Sequence, residues 1–128
     1  MSDLPINDFI LEAYEILERT EVHLIELEKK ANRNSIDLLF RDFHNLKGSS
    51  ALFNFNVMSE LGHHLENALE TYRDDDQLIL SSDGIDVILE SLDVMKKLLS
   101  HIEKEKTDLN MESEIQPIIG KINETFST

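Results

Sequence analysis

Apolar residues recur along the chain at three- and four-residue steps, and nowhere do they alternate in the two-residue rhythm of a strand. Phe9, Ala13, Ile16, Leu17, Leu24 and Leu27, with Tyr14 at the margin, predict a first helix over about residues 7–31, capped by Asn7. Asn32-Arg33-Asn34 breaks the pattern. Ile36, Leu39, Phe40, Phe43, Leu46 and Phe53, with Ser50 filling the remaining position, predict a second helix over about residues 35–53. It begins after Asn34 or Ser35, carries Asp37 in its first turn and closes where Asn54 can take a left-handed backbone. Asn56 caps a third helix over about residues 57–74, with Met58, Leu61, Leu65, Ala68, Leu69 and Tyr72 as its stripe. Asp74-Asp75-Asp76 reads as a solvated charge run and turn.

Ser81 or Ser82 then caps a fourth helix over about residues 82–105, whose apolar row runs Ile85, Ile88, Leu92, Met95, Leu99, Ile102. Lys104 and Lys106 lie at its C-terminal end, on the favourable side of the dipole. After a polar link through Thr107-Asp108, a shorter fifth helix covers about residues 113–126, its start obscured by Pro117 because proline is tolerated only in a first turn. The expectation is a single all-α domain over residues 1–128. Short connections between the first four helices imply an antiparallel up-down four-helix bundle, with the fifth helix packed alongside.

Composition narrows the functional classes. A charge of −14, from 26 acidic against 12 basic residues, argues against nucleic-acid binding and against attachment to anionic membranes. The absence of cysteine removes disulfides, thiolate metal sites and thiol nucleophiles. Met1-Ser2-Asp3-Leu4-Pro5 shows no basic region followed by an apolar core, and no apolar run is long enough to span a bilayer, so a cytoplasmic location is expected.

The chemistry concentrates in His44-Asn45-Leu46-Lys47-Gly48-Ser49-Ser50. At about 100° per residue His44 falls beside Phe43, at the edge of the buried arc. Gly48 stands one turn on, nearly above it. A glycine inside a helix costs roughly 1 kcal/mol relative to alanine. With no side chain at that position, a bulky group can sit on the imidazole. Lys47 supplies positive charge where an anion would be. Singly, each has an ordinary explanation: a half-buried histidine, a glycine allowing helix packing, a solvated lysine. Together, at these spacings, they suit a nucleophile that carries a phosphoryl group.

The third helix adds Gly62-His63-His64-Leu65-Glu66. With Leu65 in the core, Ser59, His63, Glu66 and Glu70 share a flank that can border the His44 edge of the second helix. Glu66 is the candidate acceptor for Nδ1–H, which would fix the tautomer and raise the basicity of Nε2. His63 can bond phosphoryl oxygens or merely line the surface, and Gly62 allows a close helix approach. His23 and His101 fit no pattern and read as surface or helix-dipole residues.

The run Phe40-Arg41-Asp42-Phe43-His44-Asn45-Leu46-Lys47-Gly48-Ser49-Ser50-Ala51-Leu52-Phe53-Asn54-Phe55 resembles the phosphoacceptor helix of histidine-containing phosphotransfer (HPt) domains. It is particularly similar to the N-terminal domain of chemotaxis histidine kinases of the CheA type, whose pattern is His-x-x-Lys-Gly, small residues, then Phe-Gly-Phe. His63-His64-Leu65-Glu66-Asn67 resembles the family's downstream His-x-x-Glu, and Phe9-Ile10-Leu11-Glu12-Ala13-Tyr14-Glu15 its opening helix. Asn54 replaces the glycine of Phe-Gly-Phe, and asparagine is the non-glycine residue best suited to a left-handed turn. Ser49 and Ser50 stand where Gly or Ala is frequent.

The resemblance implies a phosphohistidine carrier of two-component signalling. His44 is then the phosphoacceptor, Glu66 its hydrogen-bond partner, Lys47 and His63 flanking groups, and Gly48 the clearance. The implied partners are the ATP-binding domain of a histidine kinase, in cis or in trans, and response-regulator receiver domains. No Gly-rich phosphate loop and no metal-ligand cluster is present, so ATP and Mg²⁺ are expected to come through those partners, with no cofactor bound by this chain. The chain reads equally as free-standing or as the first domain of a larger kinase cut near Thr128. Two rivals stand beside this reading: a helical adaptor without phosphochemistry, and a metal-binding bundle using His44, His63, His64 and Glu66.

Overall fold

The computed structural model describes residues 4–75 and 77–126. Five helices follow one another: α1 (Leu4–Lys29), α2 (Arg33–Leu52), α3 (Asn56–Asp74), α4 (Ser82–Glu105) and α5 (Glu112–Phe126). Asp76, the last of the acidic run, and the first three residues read for a leader lie outside the described residues.

Contacts between neighbours show the helices running antiparallel, because one partner's number falls as the other's rises. Between α1 and α2, Phe9 meets Phe53 at a centroid distance of 5.4 Å, and Arg19 reaches Asp42 at 2.8 Å. Between α2 and α3, Phe40 pairs with Arg73, His44 with Glu66, and the Lys47 carbonyl with Ser59. Tyr14 with Glu103 and Glu21 with Lys96 do the same for α1 and α4, and Glu90 with Lys121 and Lys97 with Glu114 for α4 and α5. The up-down bundle is therefore as the pattern implied, with one refinement. α2 and α3 form the most extensive pair, α3 and α4 touch least, and α5 packs against both of them at that looser seam.

The core is the set of stripes read from the sequence. Leu17, Leu24, Leu39, Phe43, Leu46, Met58, Leu61, Leu65, Leu69, Ile88, Leu92 and Met95 are fully buried. Phe9, Phe53 and Phe55 close one end as an aromatic cluster. Polar groups also enter the interior. Asp42 is buried between α1 and α2, where Arg19 Nη2 donates to its Oδ1 at 2.8 Å. Thr20 is buried beside it and donates its hydroxyl to the Ile16 carbonyl at 2.7 Å.

Helix ends account for most departures from expectation. Asn7 lies inside α1, which is already helical at Leu4 with Pro5 in its first turn, where the missing N–H costs nothing. α1 stops at Lys29, and α2 is capped by Asn32, not by Asn34 or Ser35. The Asn32 Oδ1 accepts from the Asn34 amide at 2.9 Å and the Ser35 amide at 3.4 Å, which places Asp37 beyond the first turn, where it pairs with Arg41. Asn56 is the first residue of α3, not its cap, and the cap residue Phe55 makes no side-chain bond. The donor at that end is met instead by Asp108 from the α4–α5 link, whose Oδ2 accepts from the Met58 amide at 2.8 Å. Ser81 caps α4 as one of the two candidates, and Asn54 takes φ 64° after α2 as expected. Pro117 sits in the second turn of α5, not the first. Both Pro117 and Ser113, whose carbonyl loses its helical donor, are exposed, so water can satisfy that carbonyl.

Candidate functional site

α2 is pinned to the core by Phe40, Phe43 and Leu46, and this fixes what its outer edge presents. His44 stands on that edge with a side chain 58% exposed. Its Nδ1 faces α3, where Glu66 Oε1 lies 3.0 Å away. The other oxygen, Glu66 Oε2, is 2.7 Å from Lys47 Nζ. Glu66 is only 13% exposed, so one hydrogen bond joins a nearly buried carboxylate to an exposed ring.

Burial pushes the Glu66 carboxyl up, but hydrogen bonds from Lys47 and His44 outweigh it and hold the group below the ordinary carboxylate range. An ionised carboxylate can only accept, so the hydrogen sits on Nδ1. The lone pair is then left on Nε2, at the opposite edge of the imidazole. That is the tautomer a nitrogen nucleophile needs.

The spacing of α2 and α3 sets this geometry. Ser59 Oγ donates to the Lys47 carbonyl at 3.0 Å. A Cβ built on Gly62 would stand 3.4 Å from Lys47 Cβ, so the small residue does allow the close approach expected of it. The flank of α3 that meets α2 is thus Ser59, Gly62, Glu66 and Arg73. His63 and Glu70 lie one step further round, both exposed. His63 is therefore on the outer surface, with its ring 6.5 Å from that of His64.

Gly48 is exposed, and a Cβ there would meet nothing within 4 Å. No neighbour in the chain requires a glycine at this position. The space it leaves open is outside, above the imidazole.

Beside the ring runs a groove of about 430 Å³, lined by Phe40, Arg41, His44, Asn45, Glu66 and Arg73. The Phe40 and His44 rings are near parallel, at 10° and a centroid separation of 6.4 Å, and the Arg73 guanidinium carbon stands 4.1 Å from the Phe40 centroid. The sequence reading passed over both arginines. The available signal was Arg73 falling two turns after Glu66, on the same side of α3. Another cavity, of about 300 Å³, is formed by Leu27, Ile36, Tyr72 and Leu78 to Leu80 at the end of the bundle, away from the imidazole.

The residues of the metal-binding alternative are not gathered. His64 turns toward α5, lining a cleft with Asn67, Ile122 and Phe126, and among the described residues no three His, Asp or Glu side chains converge for an ion. His23 is not a surface residue: it is half-buried, with Nδ1 enclosed and without a hydrogen-bond partner among the described residues. His101 is likewise half-buried. No described helix is long and apolar enough to cross a membrane.

Residues 6–105 match the family described as Hpt domain. The sensor histidine kinase CheAY of Helicobacter pylori is 36% identical over 129 residues, covering 95% of this chain and 16% of the relative. The chemotaxis protein CheA of Klebsiella aerogenes is 38% identical over 92 residues, covering 71% of this chain and 14% of the relative. The chain thus spans 16% or less of the length of these two relatives. Among solved structures, the histidine phosphotransfer domain of CheA superposes with a TM-score of 0.85 at 29% identity, covering 100% of this chain and 96% of that one. The phosphorylated P1 domain of CheA3 from R. sphaeroides, solved in complex with CheY6, superposes with a TM-score of 0.81, covering 97% of this chain and 99% of that one. At 18% identity, this second likeness carries the fold alone.

Proposed function

This chain belongs to the Hpt domain family, and from that premise we propose that it carries a phosphoryl group on His44 between a kinase domain and a receiver domain in chemotaxis-type signalling. The observation that supports this most directly is the 3.0 Å contact from Nδ1 of a His44 side chain that is 58% exposed to a nearly buried Glu66.

The chemistry follows from the tautomer. The Nε2 lone pair attacks the γ-phosphorus of ATP held by the kinase domain, the bond to the β–γ bridging oxygen breaks, and ADP leaves. The ring becomes cationic, with its Nδ1–H still donated to Glu66, whose negative charge offsets it. No proton has to leave. In the second step a carboxylate oxygen of the receiver's aspartate attacks the phosphorus, the P–N bond breaks and its electrons return to Nε2. The starting tautomer is regenerated.

ATP and Mg²⁺ belong to the partners in this reading, consistent with catalysis by positioning and charge and not by groups of this chain alone. The kinase domain is assigned in cis by likeness to the much longer CheAY and CheA relatives, and the receiver partner by membership of the Hpt family together with the chemotaxis role of the CheA relative. Lys47 and Gly48 are assigned to charge compensation and clearance, and His63 to the outer flank of the docking face.

The test is incubation with ATP and a chemotaxis-type kinase core, followed by location of the acid-labile phosphate. His44→Gln should abolish labelling. Glu66→Ala should slow it roughly tenfold to a hundredfold, the usual cost of losing an orienting partner. Acid-labile phosphate that persists in His44→Gln refutes the assignment.

A further inference from the structure

Before phosphorylation, the positive charge on one side of the His44 ring is engaged with Glu66. Lys47 Nζ lies 2.7 Å from Glu66 Oε2, so the lysine balances the carboxylate that holds Nδ1. A phosphoryl group on Nε2 adds a further charge of about −1.5 to −2 near neutral pH. The chain as a whole, at −14, offers little background compensation. The local cations are therefore the ones to examine, and they lie on the Phe40 side, across the ring from Lys47.

Arg73 reaches that side from α3. Its guanidinium carbon is 4.1 Å from the Phe40 centroid, and the Phe40 ring lies nearly parallel to that of His44. A helical side chain leans toward the N-terminus of its helix, which on α3 is the direction of Glu66 and hence of the imidazole. Among the described residues only Nε of Arg73 is engaged, donating to Asp74 Oδ1 at 3.2 Å. The Asp74 side chain is 59% exposed, and an ion pair that open holds weakly. Both terminal nitrogens are left for another acceptor, on a guanidinium whose plane the Phe40 ring already orients.

Arg41 lines the same groove but leans the other way. It sits on α2 one turn before His44, and its Nε is 3.3 Å from Asp37 Oδ2, a further turn back. Glu66 and Glu70 lie on the same helix as Arg73, and Arg33 donates to the carbonyl of its neighbour Tyr72 at 3.1 Å. Glu70, on the outer flank between Glu66 and Arg73, would repel a phosphoryl group, and Arg73 stands where it can screen that repulsion.

We infer that Arg73 is a phosphoryl-binding residue: once His44 is phosphorylated, the terminal N–H groups of Arg73 donate to phosphoryl oxygens from the Phe40 side, opposite Lys47. This rests on the reading of His44 as phosphoacceptor. A planar fork suits phosphate oxygens, and the arrangement gives the group a cation on each side.

The experiment is a ³¹P NMR titration of the phosphohistidine on the whole chain, loaded with phosphoramidate or with the kinase core and ATP. A cation touching the phosphoryl group favours its dianion, so Arg73→Gln should raise the phosphoryl pKa by roughly half a unit, as expected for unit charges several ångströms apart at an exposed site. Arg73→Lys keeps the charge and the stem without the fork and should fall between. It also covers the case in which loss of stacking on Phe40 disturbs the helix pair. Arg41→Gln should move the value by less than half as much. Equal phosphoryl pKa values in wild type and Arg73→Gln overturn the inference, as does an equal rise in Arg41→Gln, which would show only a diffuse charge effect. An Arg73→Gln effect confined to transfer to the receiver, with the pKa unmoved, overturns it too and makes Arg73 a docking residue. Absence of phosphohistidine on the wild-type chain is a different failure, that of the His44 assignment.

Discussion

Replacing Gly48 by alanine separates what the fold requires from what the site requires. Gly48 lies within α2 with a backbone outside the positive-φ region, and its added Cβ would meet nothing within 4 Å. The fold therefore has no use for the glycine, which costs about 0.8–1 kcal/mol relative to alanine in a helix interior. Gly48→Ala should recover that amount. For a domain of this length the gain corresponds to a rise in Tm of about 4 °C, read by circular dichroism at 222 nm. A helical Cβ tilts toward the N-terminus, so the new methyl leans toward His44 without touching the ring. Only an object outside the chain can collide with it: the phosphoryl group on Nε2, or the partner delivering it. A displacement of an ångström in such a complex costs on the order of 100-fold, so phosphorylation by the kinase core should drop at least about tenfold while stability increases. Gly48→Leu should deepen the loss of phosphorylation. The reasoning fails if Gly48→Ala is phosphorylated at the wild-type rate, because the open space would then serve neither group nor partner. It fails equally if the variant melts lower than wild type.

Two further outcomes follow from polar groups placed by the fold. Asp108 caps α3 across 50 residues of sequence. Burial pushes its carboxyl up against the hydrogen bonds from the Met58 and Val57 amides, so the native state gains little from its charge. Asp108→Ala should cost about 1–3 kcal/mol in urea denaturation by stranding those amides, whereas Asp108→Asn, which keeps an acceptor oxygen, should cost clearly less. Equal losses would show that the charge matters and not the acceptor. Tyr14 donates to Glu103 Oε1 at 2.9 Å, and burial together with that bond pushes its phenol from 10.0 up to about 12. Its raised folded pKa means the contribution to stability is fully present below pH 10.0 and is lost as pH rises through about 12. In absorbance at 295 nm, Tyr14→Phe should remove a titration step centred near 12, and loss of a step centred at 10.0 would refute the burial argument.

The helix spans and the His44–Glu66 pair were legible because both depend on local periodicity and on one step of neighbour geometry. A residue's place on a helix follows from its number, and adjacent helices joined by short links must face each other. The caps were less legible. Asn32, Asn34 and Ser35 are all good capping residues within four positions, and only the turn that joins α1 to α2 selects the first. Asn56 was the best local candidate for α3, yet its role passes to Asp108, and no local pattern links residues so far apart. Asp42 and Thr20 carry polar types that composition places outside, but they are buried because Arg19 reaches Asp42 across the α1–α2 contact. His63 shared a face with Glu66 at the resolution of a helical wheel. The close approach at Gly62 turns that face by one step, keeping Ser59 against α2 as read, leaving His63 outside and bringing Arg73 in.

Lys47 shows most clearly what three dimensions add. By spacing alone it is a cation near an anion site. In the fold its ammonium is held 2.7 Å from Glu66, and in the proposed function this contact is part of how His44 would be prepared as a nucleophile. Burial acts to protonate Glu66, and a neutral carboxyl would no longer give a charge-assisted acceptor to Nδ1–H. The lysine, together with the hydrogen bond from His44, offsets that burial and so favours the ionised Glu66 that accepts from Nδ1–H and leaves the lone pair on Nε2. Because the folded pKa of Glu66 is lowered, this support is complete at neutral pH and is lost only as pH falls through that depressed value. In the proposed function, Lys47 therefore acts on the ring before any phosphoryl group arrives. Once a phosphoryl group sits on Nε2 the imidazole is cationic and can itself balance Glu66, which frees the lysine to turn toward the new anion. One side chain can thus serve both states because phosphorylation moves the positive charge onto the ring at the moment the lysine is needed elsewhere.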